Sequence, residues 1–335
     1  MKIVVFGGAG FVGTTLLPML VKKGHDVICF DRMFFGREFL KEIESKLLGV
    51  YEGDIRTFND FEWLKDTDTV INLAGISQPD ELKRIDPMLF FETNHLGCSR
   101  VARICKDLGV KRYISTSTCS VYGAQIGLLS ESGTEPKPLE AYGKSKLLAE
   151  KDALELADND FCVTIIRPAT MYGLSKKMRF DLVVNAMSWA LWKFGTINVS
   201  RPGSQWRPNV HVKDVCRAIC KIMEAERGVV QKEVFNIGTT EQNYQIEALA
   251  HEIGMSASND YNIDWFGKGD NRSYNVDFEK LETTFSFKAK YTVPIAANEI
   301  YDALESGIIE KDRKTLNLSW YQNLIAQDKL KTLKI

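Results

Sequence analysis

Hydrophobic positions along this chain come in short solid runs, separated by longer stretches in which apolar residues recur at helical spacing. "KIVVF", "DVICFD", "LGVYEGD", "DTVINLAG", "KRYISTST" and "FCVTIIRPA" are each apolar and short enough to be buried strands. Between them lie helix-like segments: "FVGTTLLPMLVKKG", a stretch from about Met88 to Leu108, and "LEAYGKSKLLAEKDALELA". Pro18 falls inside the first helix and is expected to bend it. Strands regularly separated by helices predict an α/β fold with a doubly wound parallel sheet, covered on both faces by right-handed crossovers.

After Gly173 the pattern changes. "LSKKMRFDLVVNAMSWALWKFG" reads as a loop and a helix carrying two tryptophans. "VHVKDVCRAICKIMEA" and "EVFNIG" then read as a helix and a strand returning to the main sheet. The rest suits a smaller mixed α/β lobe, with Trp189, Trp192 and Trp206 read as its core. The predicted boundaries are residues 1–175 for the larger domain, with a returning segment at about 208–240. Residues 176–207 and 241–335 form the smaller lobe.

Composition narrows the classes. The chain has 335 residues, a formal net charge of -1 and 26% charged residues, which gives no electrostatic case for nucleic acid or an anionic membrane as partner. No apolar run approaches the roughly 18–20 residues needed to span a bilayer. Glycines interrupt the N-terminal apolar run too early for a signal peptide. Seven scattered cysteines without a CxxC, and four histidines outside ligand spacing, point to a reduced cytoplasmic protein with no metal. Cys216 and Cys220 share a helix face and read as core.

"FGGAGFVG" places Gly7, Gly10 and Gly13 at the junction of the first strand and first helix. Glycine permits the tight turn and lets backbone approach a pyrophosphate, while the helix start offers free N–H groups. With a strand before and a helix after, the motif predicts dinucleotide binding. Asp31, ending the second strand, is placed to accept hydrogen bonds from the adenosine ribose and would repel a 2'-phosphate. NAD is therefore favoured over NADP, although Arg32 beside it weakens that preference. Asp54 in "EGDI" is positioned for the adenine edge, and Ala74 and Gly75 leave room for the cofactor backbone. Asn94 reads equally as a ligand or as a buried anchor.

Tyr142 and Lys146 stand four residues apart and project from one helix face. A phenol is a poor base at neutral pH, and a neighbouring ammonium favours its ionised form, as general acid–base work requires. "STSTCSVYG" sets hydroxyls at the carboxyl end of the fifth strand, facing the cleft where open α/β sheets bind ligands. There Thr118 can share developing charge with Tyr142.

With these residues in place, the chain resembles the extended short-chain dehydrogenase/reductase family, in its nucleotide-sugar epimerase/dehydratase branch. The matching elements are "GGAGFVG", Asp31, "EGDI", "LAG", "STSTCSVYG", "YGKSK", "RPATMYG", "RPNVHVKD", "VFNIG" and "GDNRSYNVD", in family order over roughly residues 1–300. The resemblance implies a Rossmann-type domain, with Thr118, Tyr142 and Lys146 as the catalytic set. It implies that Phe11, Val12, Ile55, Leu73, Thr116 and Pro168 complete the cofactor wall, and that Ser77 and Ser120 join Thr118 at the substrate. Arg207 and Arg272 match positions that clamp a nucleotide diphosphate, as suits guanidinium forks, and Asn185 matches a third contact. A homodimer through helices near 88–108 and 139–158 is also implied.

Dehydratases of the branch carry an Asp-Glu pair after the catalytic threonine, where this chain has Cys119 and Ser120. That disfavours loss of water. The expected activity is an NAD-dependent epimerase of a nucleotide-diphosphate sugar, working through a keto-sugar. A reductase of such a keto-sugar is the alternative, and a non-catalytic dinucleotide sensor a third reading. Thr170 stands where many of these epimerases have asparagine, so the sugar pocket is expected to differ from that of common UDP-hexose epimerases.

Overall fold

The computed structural model of the chain describes residues 1–77, 86, 88–257, 260–269 and 272–333. Seven parallel strands form the main sheet: β1 (Lys2–Phe6), β2 (Asp26–Asp31), β3 (Gly49–Glu52), β4 (Thr69–Asn72), β5 (Arg112–Thr116), β6 (Cys162–Pro168) and β7 (Glu233–Ile237). Their order is β7-β6-β5-β4-β1-β2-β3. Every apolar run read as a strand of this sheet is one.

Strand alternation builds the two layers. Ile3 and Val5 of β1 bury against α1 (Gly13–Lys22) and α5 (Val212–Glu224), whereas Val4 and Phe6 pack with α2 (Cys98–Asp107) and α3 (Ala141–Glu155). A strand buried on both faces has no polar side to spare, which is why these runs are solidly β-branched. Helix α1 continues through Pro18 to Lys22. Ahead of α2 the chain makes a π-helical stretch, Phe91–Gly97, a widened turn not foreseen in the periodicity. The sheet order reverses beside β1, between β1 and β4, and ligands bind outside the strand ends at such a point.

The smaller lobe packs α4 (Val183–Phe194), α6 (Ile246–Ala257) and α7 (Val293–Glu305) around Val184, Leu191, Leu249, Ile253 and Ala296. A parallel pair of strands, Thr196–Ser200 and Asn262–Phe266, covers it. Trp189 and Trp192 pack against a neighbouring apolar cluster. Trp206 departs from the expected core position: it opens its strand ahead of the buried residues and is 37% exposed. The last helix, α8 (Asn317–Ala326), lies on the dinucleotide half, where Tyr321 and Leu324 pack with Ile76, Leu89 and Phe90.

All seven cysteines are free and buried, with Cys216 and Cys220 in the core. Among the described residues no helix is long and apolar enough to cross a membrane, and no three His, Cys, Asp or Glu side chains gather to hold a metal.

Candidate active site

The glycine-rich turn is shaped by close contact. Gly7 adopts φ +77°, and a Cβ there would lie 2.8 Å from the Ala74 nitrogen; a Cβ on Gly13 would lie 2.4 Å from the Gly8 carbonyl oxygen. Both positions exclude side chains, so the turn keeps backbone exposed to the cleft. The Ser175 hydroxyl braces it, donating to the Phe11 carbonyl (2.7 Å) and pairing with Thr14 (2.9 Å). Phe11, Val12, Thr116, Tyr142 and Lys146 line one compartment with these glycines. Ile55, Leu73, Ala74 and Gly75 line a second with Asp31, Arg32 and Asp54.

At the end of β2 the Asp31 carboxylate accepts from the N–H groups of Ala9 (3.0 Å) and Met33 (2.8 Å). Burial pushes this carboxyl up, against those backbone bonds. Arg32 turns away from Asp31. It pairs with Asp54 at 2.8 Å, donates to the Lys329 carbonyl at 2.9 Å and sits over the Phe34 ring. Arg56, which no motif signalled, bridges Asp54 (2.8 Å) and Glu92 (2.9 Å). Burial works against the Asp54 charge, yet hydrogen bonds from Arg56 and the Arg32 charge hold its carboxyl below the ordinary range.

Asn94 is a buried anchor. Its amide oxygen accepts from the Ile76 N–H (2.7 Å) and its nitrogen donates to the Ile76 carbonyl (2.8 Å), fixing the loop beyond Gly75. Pro168 is buried at the end of β6. The nearby wall of the compartment comes from Met171.

Lys146 is buried on α3, and its ammonium donates to the Thr116 carbonyl at 2.8 Å. Tyr142, half-buried one turn earlier, shares the same compartment. Thr118 stands between Ser117, which lines that compartment, and Ser120, which lines a larger cleft. Its hydroxyl caps the short turn Cys119–Tyr122 by accepting from the Ser120 N–H (3.1 Å), and it lies 3.2 Å from the Ser120 hydroxyl. Cys119 is buried, its thiol pushed up by burial and donated to the Arg167 carbonyl. It offers no acid for dehydration.

The larger cleft, about 650 Å³, holds Arg207 and Arg272 together with Thr170 and Tyr274. Arg207 lies over the Tyr274 ring and donates to the Arg272 carbonyl. Burial pushes the Tyr274 phenol up to about 12. Arg272 pairs at 2.6 Å with Glu140, the residue preceding α3. Asp270 and Asn271 of the same motif lie outside the described residues. Asn185 is set apart from the cleft: it is fully buried, accepts from the Gly173 N–H (2.8 Å) and donates to the Arg179 carbonyl (2.9 Å).

Sequence reasoning missed part of the wall around the glycine turn. Phe35, Lys177, Arg179, Asn317 and Tyr321 line it, although none sits in a motif. Burial pushes the Lys177 ammonium down, where it donates to Asn317 and lies over the Phe35 ring.

This fold, with a tyrosine and a lysine lining one compartment beside the glycine turn, is that of a dinucleotide-dependent enzyme. The model of the NAD dependent epimerase/dehydratase family matches residues 3–238, and the chain belongs to that family. Over 312 residues it is 26% identical to a UDP-glucose 4-epimerase of Lactobacillus helveticus, covering 87% of this chain and 93% of that one. Over 198 residues it is 27% identical to a human sterol-4-alpha-carboxylate 3-dehydrogenase, covering 57% of this chain and 52% of the relative. A solved structure of MoeE5 in complex with UDP-glucuronic acid and NAD superposes with a TM-score of 0.79 at 25% identity, over 92% of this chain and all of that one.

NAD is the cofactor of the family, and the residues here fit it. The glycine turn excludes side chains and so leaves backbone open to a pyrophosphate, Asp31 faces the same cleft, and the Thr116 and Ser117 hydroxyl oxygens are buried there without a partner among the described residues.

Proposed function

We propose that the protein epimerises a sugar carried on a nucleoside diphosphate, with NAD as resident cofactor. One observation carries this reading. The start of α3 and the residue before it divide two spaces: Tyr142 and Lys146 face the dinucleotide compartment, while Glu140 and Gly143 face the cleft that holds Arg207 and Arg272. A sugar seated at that turn would meet the phenol, and its diphosphate would meet two guanidinium groups. The named ligands of similar proteins, UDP-glucose and UDP-glucuronic acid, have this shape.

NAD, when bound, would supply the acceptor and then the donor of hydride for the sugar carbon. Tyr142 removes the proton of the sugar hydroxyl and later gives it back. Lys146, held by Thr116, stabilises the phenolate electrostatically. Thr118 donates to the sugar oxygen as charge develops there. The keto-sugar turns over between the two transfers, which the large cleft has room to allow. Thr170, in that cleft, shapes the sugar pocket.

A homodimer fits the exposed Leu96 (49%) and Leu148 (37%), on the π-helical stretch and on α3. Seven unpaired thiols fit a reducing cytoplasm.

The test uses purified protein. Denaturation should release stoichiometric NAD, and UDP-glucose or UDP-glucuronic acid should give its 4-epimer by NMR without added cofactor. Protein that makes no epimer but oxidises added NADH with a nucleotide-linked keto-sugar would establish a reductase instead.

A further inference from the structure

We infer that the C-terminal segment, residues 317–333, is a built-in wall of the dinucleotide site and that NAD can leave only when this segment lifts. The inference rests on NAD as the bound cofactor and adds binding residues no motif supplied.

Tyr321 is 3% exposed and lines both compartments of the cleft, beside Gly7 and Gly10 in one and beside Tyr142 and Lys146 in the other. It therefore stands where the two halves of a dinucleotide join. Asn317, one turn earlier on α8, donates to the Ser77 hydroxyl at 3.2 Å and accepts from the buried Lys177 ammonium. Phe35 packs edge-on against Tyr321, with ring centres 5.7 Å apart.

The segment is tied down where a dinucleotide would run. The Trp320 indole donates to the Phe34 carbonyl at 2.6 Å. Arg32, after Asp31, donates to the Lys329 carbonyl at 2.9 Å; Arg56, after Asp54, donates to the Lys331 carbonyl at 2.8 Å. The Leu333 N–H then reaches Glu92 at 2.8 Å. Arg32 and Phe34 follow β2, Arg56 follows β3, and Ser77 and Glu92 follow β4, so the segment crosses the ends of three strands. Leu324 and Leu330 bury in the same cluster as Ile76. Release of a ligand beneath such a cover requires the undocking of several hydrogen bonds and an apolar helix face, which slows its dissociation.

An enzyme that regenerates its cofactor in every turnover gains from keeping it. The test measures NAD release and backbone protection in the full-length protein. Protein loaded with NAD is diluted into a coupled dehydrogenase that captures free NAD, and the release rate is followed for wild type and for Trp320→Ala and Leu324→Ala. Release should be at least about tenfold faster in the variants. Hydrogen exchange of wild-type amides in 317–330 should slow when NAD is added to stripped protein, a readout that needs no variant to fold. Release rates within twofold of wild type, with exchange unchanged by bound NAD, would overturn the wall. Wild type that binds no NAD at all would overturn the cofactor reading as well, and the two failures are told apart by the NAD content of the wild-type protein.

Discussion

The Lys146 ammonium donates a 2.8 Å hydrogen bond to the Thr116 carbonyl, tying helix α3 to the carboxyl end of β5. One ammonium proton is fixed on the sheet, and the charge is held in the compartment that Tyr142 shares. Replacing Tyr142 with Phe removes the proton carrier, and turnover should fall roughly 10²- to 10⁴-fold with NAD content unchanged. Lys146→Met should match that loss and also lower NAD content. Steady-state rates and NAD released on denaturation check both, and wild-type turnover in either variant would remove the pair from the chemistry.

Arg272 pairs with Glu140 at 2.6 Å in the cleft assigned to the substrate. If this guanidinium meets the diphosphate, Arg272→Gln loses a charge-assisted contact of about 1.5–3 kcal/mol. KM for the nucleotide-sugar should rise about tenfold or more, with kcat little changed, because the contact is made equally in ground and transition states. A fall in kcat at constant KM would place Arg272 in the proton-transfer machinery instead.

Glu150, one turn beyond Lys146, holds Arg167 of β6 through bonds of 3.0 and 2.6 Å, and Arg167 donates to the Tyr122 hydroxyl at 3.0 Å. Both charges are buried. Removing one partner strands the other, so Glu150→Ala should destabilise the protein by about 3–5 kcal/mol, seen in urea unfolding. The double replacement Glu150→Leu with Arg167→Met should recover most of that loss. Equal destabilisation by single and double variants would contradict a cost that arises from the unpaired charge.

The sheet was legible because its strands are solid apolar runs, and the glycine turn because its spacing excludes side chains at Gly7 and Gly13. Tyr142 and Lys146 were legible because four residues on a helix place them on one face. Tyr321 was not, since its role depends on where α8 docks, more than three hundred residues from the glycine turn it meets. Asn185 shows the reverse. Its place in the chain matched a ligand position, yet its amide holds the backbone of Gly173 and Arg179, a partnership that periodicity cannot display.

Asp54 links acidity to stability. Its folded carboxyl lies below the ordinary range, burial being outweighed by Arg56 and Arg32. A depressed carboxyl contributes stability that is present above its unfolded value, about 3.9, and is lost as pH falls through the folded value. Urea midpoints taken from pH 6 to pH 3 should therefore drop in wild type. Asp54→Asn should start lower at pH 6 and fall less steeply. Parallel curves for the two proteins would show that Asp54 contributes nothing to the acid sensitivity.

Cofactor choice turns on where Arg32 points. An arginine beside a carboxylate proposed to bind the ribose would ordinarily favour a 2'-phosphate, but here Asp54, the Phe34 ring and the Lys329 carbonyl hold its guanidinium. Asp31 is left to set the preference, and its negative charge repels a phosphate at that position. Asp31→Asn removes the charge and keeps one oxygen, enough to accept from one of the Ala9 and Met33 N–H groups, which bond to different carboxylate oxygens in the wild type. The ratio of NADP to NAD affinity should rise about tenfold, the change expected when a repulsion of roughly 1.4 kcal/mol is lifted. Adding Asp54→Asn loosens Arg32 and should raise the ratio again. Titration calorimetry on protein stripped of cofactor measures both steps. A ratio unmoved by Asp31→Asn would mean that selection against the phosphate resides in the packing around Arg32 and not in the carboxylate.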